Sequence, residues 1–207
     1  MEYHREIIRE TGVSWAEAEK ALIMIHGRGA TAEDIISLKQ YLNVNKTRIL
    51  APQATNHTWY PYGFMMPLHQ NEPWLSSAID LLDKIVKEVL KKGFSSDQIF
   101  ILGFSQGACL ALEYPTRNAR RYGGIISFTG GLIGDKIYHE HYDGDFKGTP
   151  VFIGNSDQDP HVPVERSQQS QKIMESMGAK VTLKIYPGMP HTINEDEIQF
   201  VNENILM

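Results

Sequence analysis

Apolar residues follow two rhythms along the chain, and the two alternate. Short runs that are apolar at nearly every position occur at residues 21–25, 48–51, 99–102, 124–128 and 149–154, each bounded by polar, glycine or proline positions. Runs of this length suit strands covered on both faces. Between them the spacing turns helical. Thr31, with Asp34 three residues on and Ile35, Leu38 and Leu42 beyond, predicts a capped helix. Leu75, Ile79, Leu82, Ile85 and Val89 mark a long amphipathic one, ended by Lys91-Lys92 and Gly93. Residues 108–112 read as helix. Residues 164–177 predict a helix closed by Gly178, and residues 193–206 a last one with Glu195, Asp196 and Glu197 in its first turn. Residues 180–186 alternate polar and apolar, as in a strand with a more solvated side.

This alternation predicts a single α/β domain over residues 1–207: a mainly parallel sheet with helices on both faces. Residues 1–20 read as an N-terminal extension or short lead-in. Two stretches have no period. Residues 53–73 crowd Trp59, Tyr60, Pro61, Tyr62, Phe64, Met65 and Met66 together, and residues 129–148 are rich in glycine. Long ordered loops of this kind are usually functional. The first is expected to wall a pocket through Trp59, Tyr60, Phe64 and Met65, with ordinary core packing as the alternative. The second is expected to act as a partial lid.

Composition narrows the function. With 207 residues and 42% hydrophobic content the chain can bury a full core. Twenty basic residues stand against 25 acidic ones, a formal net charge of −5, and the basic residues are scattered. Nucleic acids and anionic membranes want clustered positive charge, so neither is an expected partner. A single cysteine, Cys109, allows no internal disulfide and fits a reducing compartment. The first twenty residues lack the apolar core of a secretory signal, and no stretch has the length to span a bilayer. The expected location is cytoplasmic.

The candidate chemistry lies at Gly103-Phe104-Ser105-Gln106-Gly107, between an apolar strand and an apolar helix. A strand feeding a helix through so tight a turn strains the central residue and lifts its side chain clear of both elements. The glycines stand where a Cβ would collide with the neighbouring elements. A serine hydroxyl needs a base, and the base needs an orienting carboxylate. On such sheets the chain order is Ser, then Asp or Glu, then His. His191, in Pro187-Gly188-Met189-Pro190-His191, follows the last strand and is the expected base; His161 is the weaker alternative. His139 and His141 form a His-x-His pair with no matched ligands, which reads as surface loop, and no metal or organic cofactor is implied. For the acid, Asp159 is preferred, and Asp157 is expected to bond the turn's own amides. The developing oxyanion needs preorganised donors. The backbone N–H groups of Gln106 and Arg28 are chosen, the latter in the loop His26-Gly27-Arg28-Gly29. The Arg28 side chain is either a pocket group or a solvated arginine. Cys109, one turn beyond Ser105, reads as a buried packing thiol.

Assembled, these residues resemble the phospholipase/carboxylesterase branch of the α/β-hydrolase superfamily, over nearly the whole chain from about Ala21. The motifs that carry the resemblance are His26-Gly27-x-Gly29, Ala51-Pro52-Gln53-Ala54, Trp59-Tyr60, Gly103-Phe104-Ser105-Gln106-Gly107-Ala108, Asp159-Pro160-His161-Val162-Pro163 and Pro187-Gly188-Met189-Pro190-His191. The resemblance implies a serine hydrolase that cleaves carboxylic esters or thioesters through an acyl-enzyme on Ser105, with Asp159, His191 and the N–H groups of Arg28 and Gln106 in the family's roles. It makes a homodimer plausible. A slow-turnover ligand receptor on the same fold is the rival reading, with lysophospholipase or dienelactone-type lactone hydrolysis as further alternatives. One departure matters: Arg28 and Ala30 stand where relatives often carry a bulky apolar residue and an aspartate. An arginine there points toward an acidic or phosphate-bearing substrate.

Overall fold

The computed structural model describes residues 3–207. Seven strands form one sheet: β1 (Ile8–Gly12), β2 (Lys20–Ile25), β3 (Thr47–Pro52), β4 (Ile99–Phe104), β5 (Gly124–Phe128), β6 (Pro150–Ser156) and β7 (Lys180–Tyr186). They lie in the order β1-β3-β2-β4-β5-β6-β7. All neighbours are parallel except β1, which runs antiparallel to β3 with Ile8 opposite Pro52 and Gly12 opposite Arg48. Five helices lie between strands, α1 (Ala32–Ile36), α2 (Leu68–Asn71), α3 (Trp74–Lys91), α4 (Gln106–Arg117) and α5 (Val164–Ser176), and α6 (Glu195–Asn204) follows the last strand. No helix among the described residues is long and apolar enough to cross a membrane.

The continuous apolar strands have the expected cause. Ala21, Ile23 and Ile25 of β2 join a core built with α3, α4 and α5 on one face. Leu22 and Met24 point the other way, into a second core under α1 and α6. Every strand position between the two layers therefore meets apolar partners. β7 is an edge strand, and its polar alternation matches its partial burial from Val181 onward.

Two local expectations change. The helix after Thr31 has the capping box with Asp34 but closes at Ile36, and residues 37–40 tighten into a 3₁₀ turn. Residues 1–20 are more than a lead-in, because residues 8–12 add an edge strand. Ile8-Arg9-Glu10-Thr11-Gly12 has no apolar alternation to reveal this. The main-chain ladder to β3 makes it a strand, and its charged side chains pair across the sheet surface, Arg9 with Glu33 and Glu10 with Arg48.

The topology places the site. From β2 the chain turns one way to β3; from β4 it turns the other way to β5. β2 and β4 are neighbours, with Ile25 opposite Gly103. Their two following loops diverge and leave a crevice at the carboxyl ends of the strands, where open α/β sheets hold ligands.

Candidate active site

Ser105 sits in that crevice at φ 56°, ψ −119°, a backbone conformation that non-glycine residues rarely adopt. Both flanking glycines are needed because backbone occupies their side-chain space. A Cβ on Gly103 would lie 2.2 Å from the Gly107 carbonyl oxygen, and one on Gly107 would lie 2.1 Å from that of Ile25. The Ser105 N–H donates to Phe128 O at 3.0 Å, which ties the turn to β5.

Three side chains distant in sequence meet here. The Ser105 hydroxyl lies 2.8 Å from His191 Nε2. His191 Nδ1 lies 2.6 Å from Asp159 Oδ2. The second carboxylate oxygen of Asp159 accepts from the N–H groups of His161 and Val162, both at 2.8 Å. Burial pushes the Asp159 pKa up, but donation from His191 and from these two amides outweighs it and holds the carboxyl below its ordinary value. An anionic Asp159 selects the tautomer with its proton on Nδ1, which leaves Nε2 free to accept from the hydroxyl. This relay can draw a proton from Ser105 and return it to a leaving group.

Contrary to expectation, Asp157 does not bond its own turn. Its Oδ1 accepts from Gly188 N–H at 2.7 Å, so the two aspartates divide the work. Asp157 anchors the loop that carries His191, while Asp159 both closes its own turn and orients the imidazole.

The oxyanion candidates are also adjacent. A Cβ on Gly27 would lie 3.4 Å from the Ser105 Cβ, so the loop after β2 packs directly on the serine turn. Gln106 opens α4, where an N–H has no carbonyl a turn back in the helix. Neither the Gln106 nor the Arg28 N–H has an acceptor among the described residues. The Gln106 side chain braces the aromatic loop as well. Its Oε1 accepts from Trp59 N–H at 2.9 Å and its Nε2 donates to Tyr60 O at 2.8 Å. His26 is buried and locks the same loop, with Nδ1 against Gly27 O at 2.7 Å and Nε2 accepting from Ala54 N–H at 3.1 Å.

A cavity of about 380 Å³ opens over Ser105, lined by Gly27, Arg28, Ala30, Tyr60, Gly63, Phe64, Phe104, Gln106, Cys109, His161, Val162 and His191. Of the four wall residues expected from the 53–73 loop, Tyr60 and Phe64 line it. Trp59 does not. It is fully buried, its indole N–H donates to His26 O at 2.8 Å, and its ring packs against His4 and His26. Met65 does not either; it is 37% exposed, outside the cavity.

Residues 129–148 contribute nothing to the lining, and hydrogen bonds tie their first part to α4 and α5. Ser167 Oγ donates to Gly130 O, and Leu132 N–H donates to Ser170 Oγ. Arg166 Nη1 donates to the carbonyls of Leu132 and Gly134. Buried Glu113 accepts from Ile133 N–H at 2.9 Å and from the Tyr142 hydroxyl at 3.1 Å. Gly134 N–H in turn bonds Phe64 O at 2.7 Å, so this segment props the cavity wall from behind.

Several lining residues have no clear signal in the sequence. His161 stands out there only as the weaker candidate base, yet its ring stands edge-on to His191 with centroids 4.9 Å apart. Phe104 packs against that imidazole too, at 5.1 Å. Cys109 lines the cavity but is buried, which pushes its thiol up to about 12 and keeps it protonated. His139 and His141 lie in a 3₁₀ turn outside this cavity.

With this geometry in view, similarity to known proteins decides the family. The phospholipase/carboxylesterase profile matches residues 10–207. The chain belongs to the phospholipase/carboxylesterase family. A solved phospholipase/carboxylesterase from Dyadobacter fermentans is 55% identical, superposes with a TM-score of 0.98, and is covered over 99% of its chain by 100% of this one. Acyl-protein thioesterase 1 of Saccharomyces cerevisiae is 29% identical over 203 residues, 88% of this chain and 89% of the yeast protein. A probable carboxylesterase of Arabidopsis thaliana is 25% identical over 201 residues, 89% of this chain and 77% of its own length. The fold is therefore that of the α/β-hydrolases, and the family's members are serine hydrolases that act on esters.

Proposed function

We propose that this carboxylesterase-family enzyme hydrolyses esters or thioesters with Ser105 as nucleophile, His191 as general base and acid, and Asp159 as the residue that orients the imidazole. The observation that carries the reading is the unbroken relay, 2.8 Å from hydroxyl to imidazole and 2.6 Å from imidazole to carboxylate. His191 Nε2 takes the hydroxyl proton as Ser105 Oγ bonds the acyl carbon. The Arg28 and Gln106 N–H groups stabilise the oxyanion. On collapse, the bond to the leaving oxygen or sulfur breaks, and His191 delivers its proton to that atom. Water then gives a proton to His191 and its oxygen to the acyl carbon; the bond from that carbon to Ser105 Oγ breaks, and His191 returns the proton to Oγ, which frees the acid and restores Ser105.

Relatives named thioesterase and carboxylesterase support both leaving groups. The single cysteine, protonated and buried, fits a cytoplasmic location. Ser105→Ala should lower kcat/KM on p-nitrophenyl acetate by about 10³-fold or more and abolish fluorophosphonate labelling. Retention of the wild-type rate by that variant ends this reading.

A further inference from the structure

The charge facing the cavity is one-sided. Arg28 reaches across the rim and donates to the carbonyls of Tyr60 at 3.0 Å, Pro61 at 2.8 Å and Tyr62 at 2.6 Å. These oxygens fix where the guanidinium lies, but they carry no net charge. No carboxylate among the described residues pairs with Arg28. Among the described residues the lining holds no Asp or Glu. Asp159, hydrogen-bonded to the lining residue His191, spends its oxygens on that imidazole and two backbone amides. The other titratable groups on the wall are two imidazoles, His161 and His191, neither an acid, and Tyr60 and Cys109, which burial keeps neutral. Among the described residues, the one permanent charge on the cavity wall is thus a cation without a counter-ion, in a chain whose net charge is −5. A planar guanidinium has five N–H donors, and its three carbonyl bonds leave some unused.

We propose that Arg28 selects anionic substrates: esters or thioesters that carry a carboxylate or phosphate within reach of the guanidinium. The proposal rests on Ser105 being the nucleophile. The distant field of this acidic chain repels anions, so a preference for them calls for a local cation, which Arg28 supplies permanently.

Matched substrates test it. On the acyl side, mono-p-nitrophenyl adipate is compared with p-nitrophenyl hexanoate. On the leaving-group side, meta-acetoxybenzoate and meta-acetoxyphenyl phosphate are each compared with methyl meta-acetoxybenzoate. The three comparisons separate acyl from leaving-group placement and carboxylate from phosphate. The readout is the ratio of kcat/KM, anionic over neutral. In the wild type at least one ratio should exceed one and fall toward one as ionic strength rises from about 10 mM to about 0.5 M. Arg28→Gln should lower that ratio about tenfold, and Arg28→Lys should recover part of it. Any effect of either variant on the backbone donor at position 28 is common to both substrates and cancels in the ratio. Wild-type ratios at or below one in all three comparisons, unmoved by salt, overturn the proposal and leave Arg28 as a staple for the 60–62 backbone. Neutral-ester turnover surviving in Ser105→Ala would instead overturn the nucleophile assignment, whatever the ratios show.

Discussion

Ser105 holds a backbone conformation that costs about 1–3 kcal/mol, and the neighbouring backbone over-determines it. Its N–H is bound to Phe128 O and its carbonyl to Cys109 N–H, both at 3.0 Å, so the residue cannot relax without breaking a strand contact or the first turn of α4. Asp159 is held as firmly, with three donors on two oxygens. Its depressed pKa keeps it anionic throughout the neutral range. Asp159→Asn preserves the side chain's size but removes the charge and lets the imidazole carry its proton on Nε2, the wrong nitrogen. The expected loss in kcat is about 10³- to 10⁴-fold, with little change in KM, read from steady-state rates on p-nitrophenyl acetate.

At the scale of elements, the site depends on how closely α4 approaches β2. The fit is backbone on backbone: the Cβ position of Gly107 is 2.1 Å from Ile25 O and 2.6 Å from His26 O. No side chain is present there to swing aside. Gly107→Ala therefore has to push apart the two segments that carry Gln106 and Arg28. The expected destabilisation is about 1–3 kcal/mol by urea unfolding, with a fall in kcat larger than the stability loss explains at temperatures where the variant is fully folded. The loops are braced in the same manner. His4 joins the Trp59 segment through Nε2 to Trp59 O at 2.8 Å and Nδ1 from Thr55 N–H at 3.2 Å, so it braces the loop that carries the wall residue Tyr60.

For the whole molecule, the second core contains a titratable group that the mechanism does not use. Glu197, in the first turn of α6, is fully buried over Gly154 in β6. One carboxyl oxygen accepts from Asn194 N–H at 2.9 Å in a capping box, and the other has no partner among the described residues. Burial raises this carboxyl from 4.5 to about 7. The folded state therefore binds the proton more tightly than the unfolded chain. The stability this provides is full below about pH 4.5 and is lost as pH rises toward 7. Glu197→Gln keeps the cap acceptor and cannot ionise. It should be more stable than the wild type at pH 8, by up to about 3 kcal/mol, with the difference shrinking toward pH 5. Urea titrations at the two pH values give this difference. The buried bases His4 and His26, whose pKa values are lowered by burial, act in the opposite sense but equally in both proteins.

The strand–helix alternation and the serine turn were legible in the chain because they are local. A strand between two apolar layers must be apolar at every position, and a glycine pair around a serine is needed wherever a strand meets a helix this tightly. The order Ser105, Asp159, His191 was legible for a related reason: each follows a recognisable strand, so all three fall at one edge of the sheet. Other features had no such local mark. β1 is a strand only through its partner, Asp157 is an anchor only through Gly188, and Arg28 is fixed at the cavity rim only through the 60–62 carbonyls. Trp59 and Tyr60 are adjacent aromatics, yet one is core and the other cavity wall. Side-chain chemistry and short-range spacing determined what this protein is equipped to do. Which backbone groups meet across long stretches of chain decided where each of those residues does it, because hydrogen-bond partners are chosen by proximity in space, and proximity exists only once the sheet has assembled.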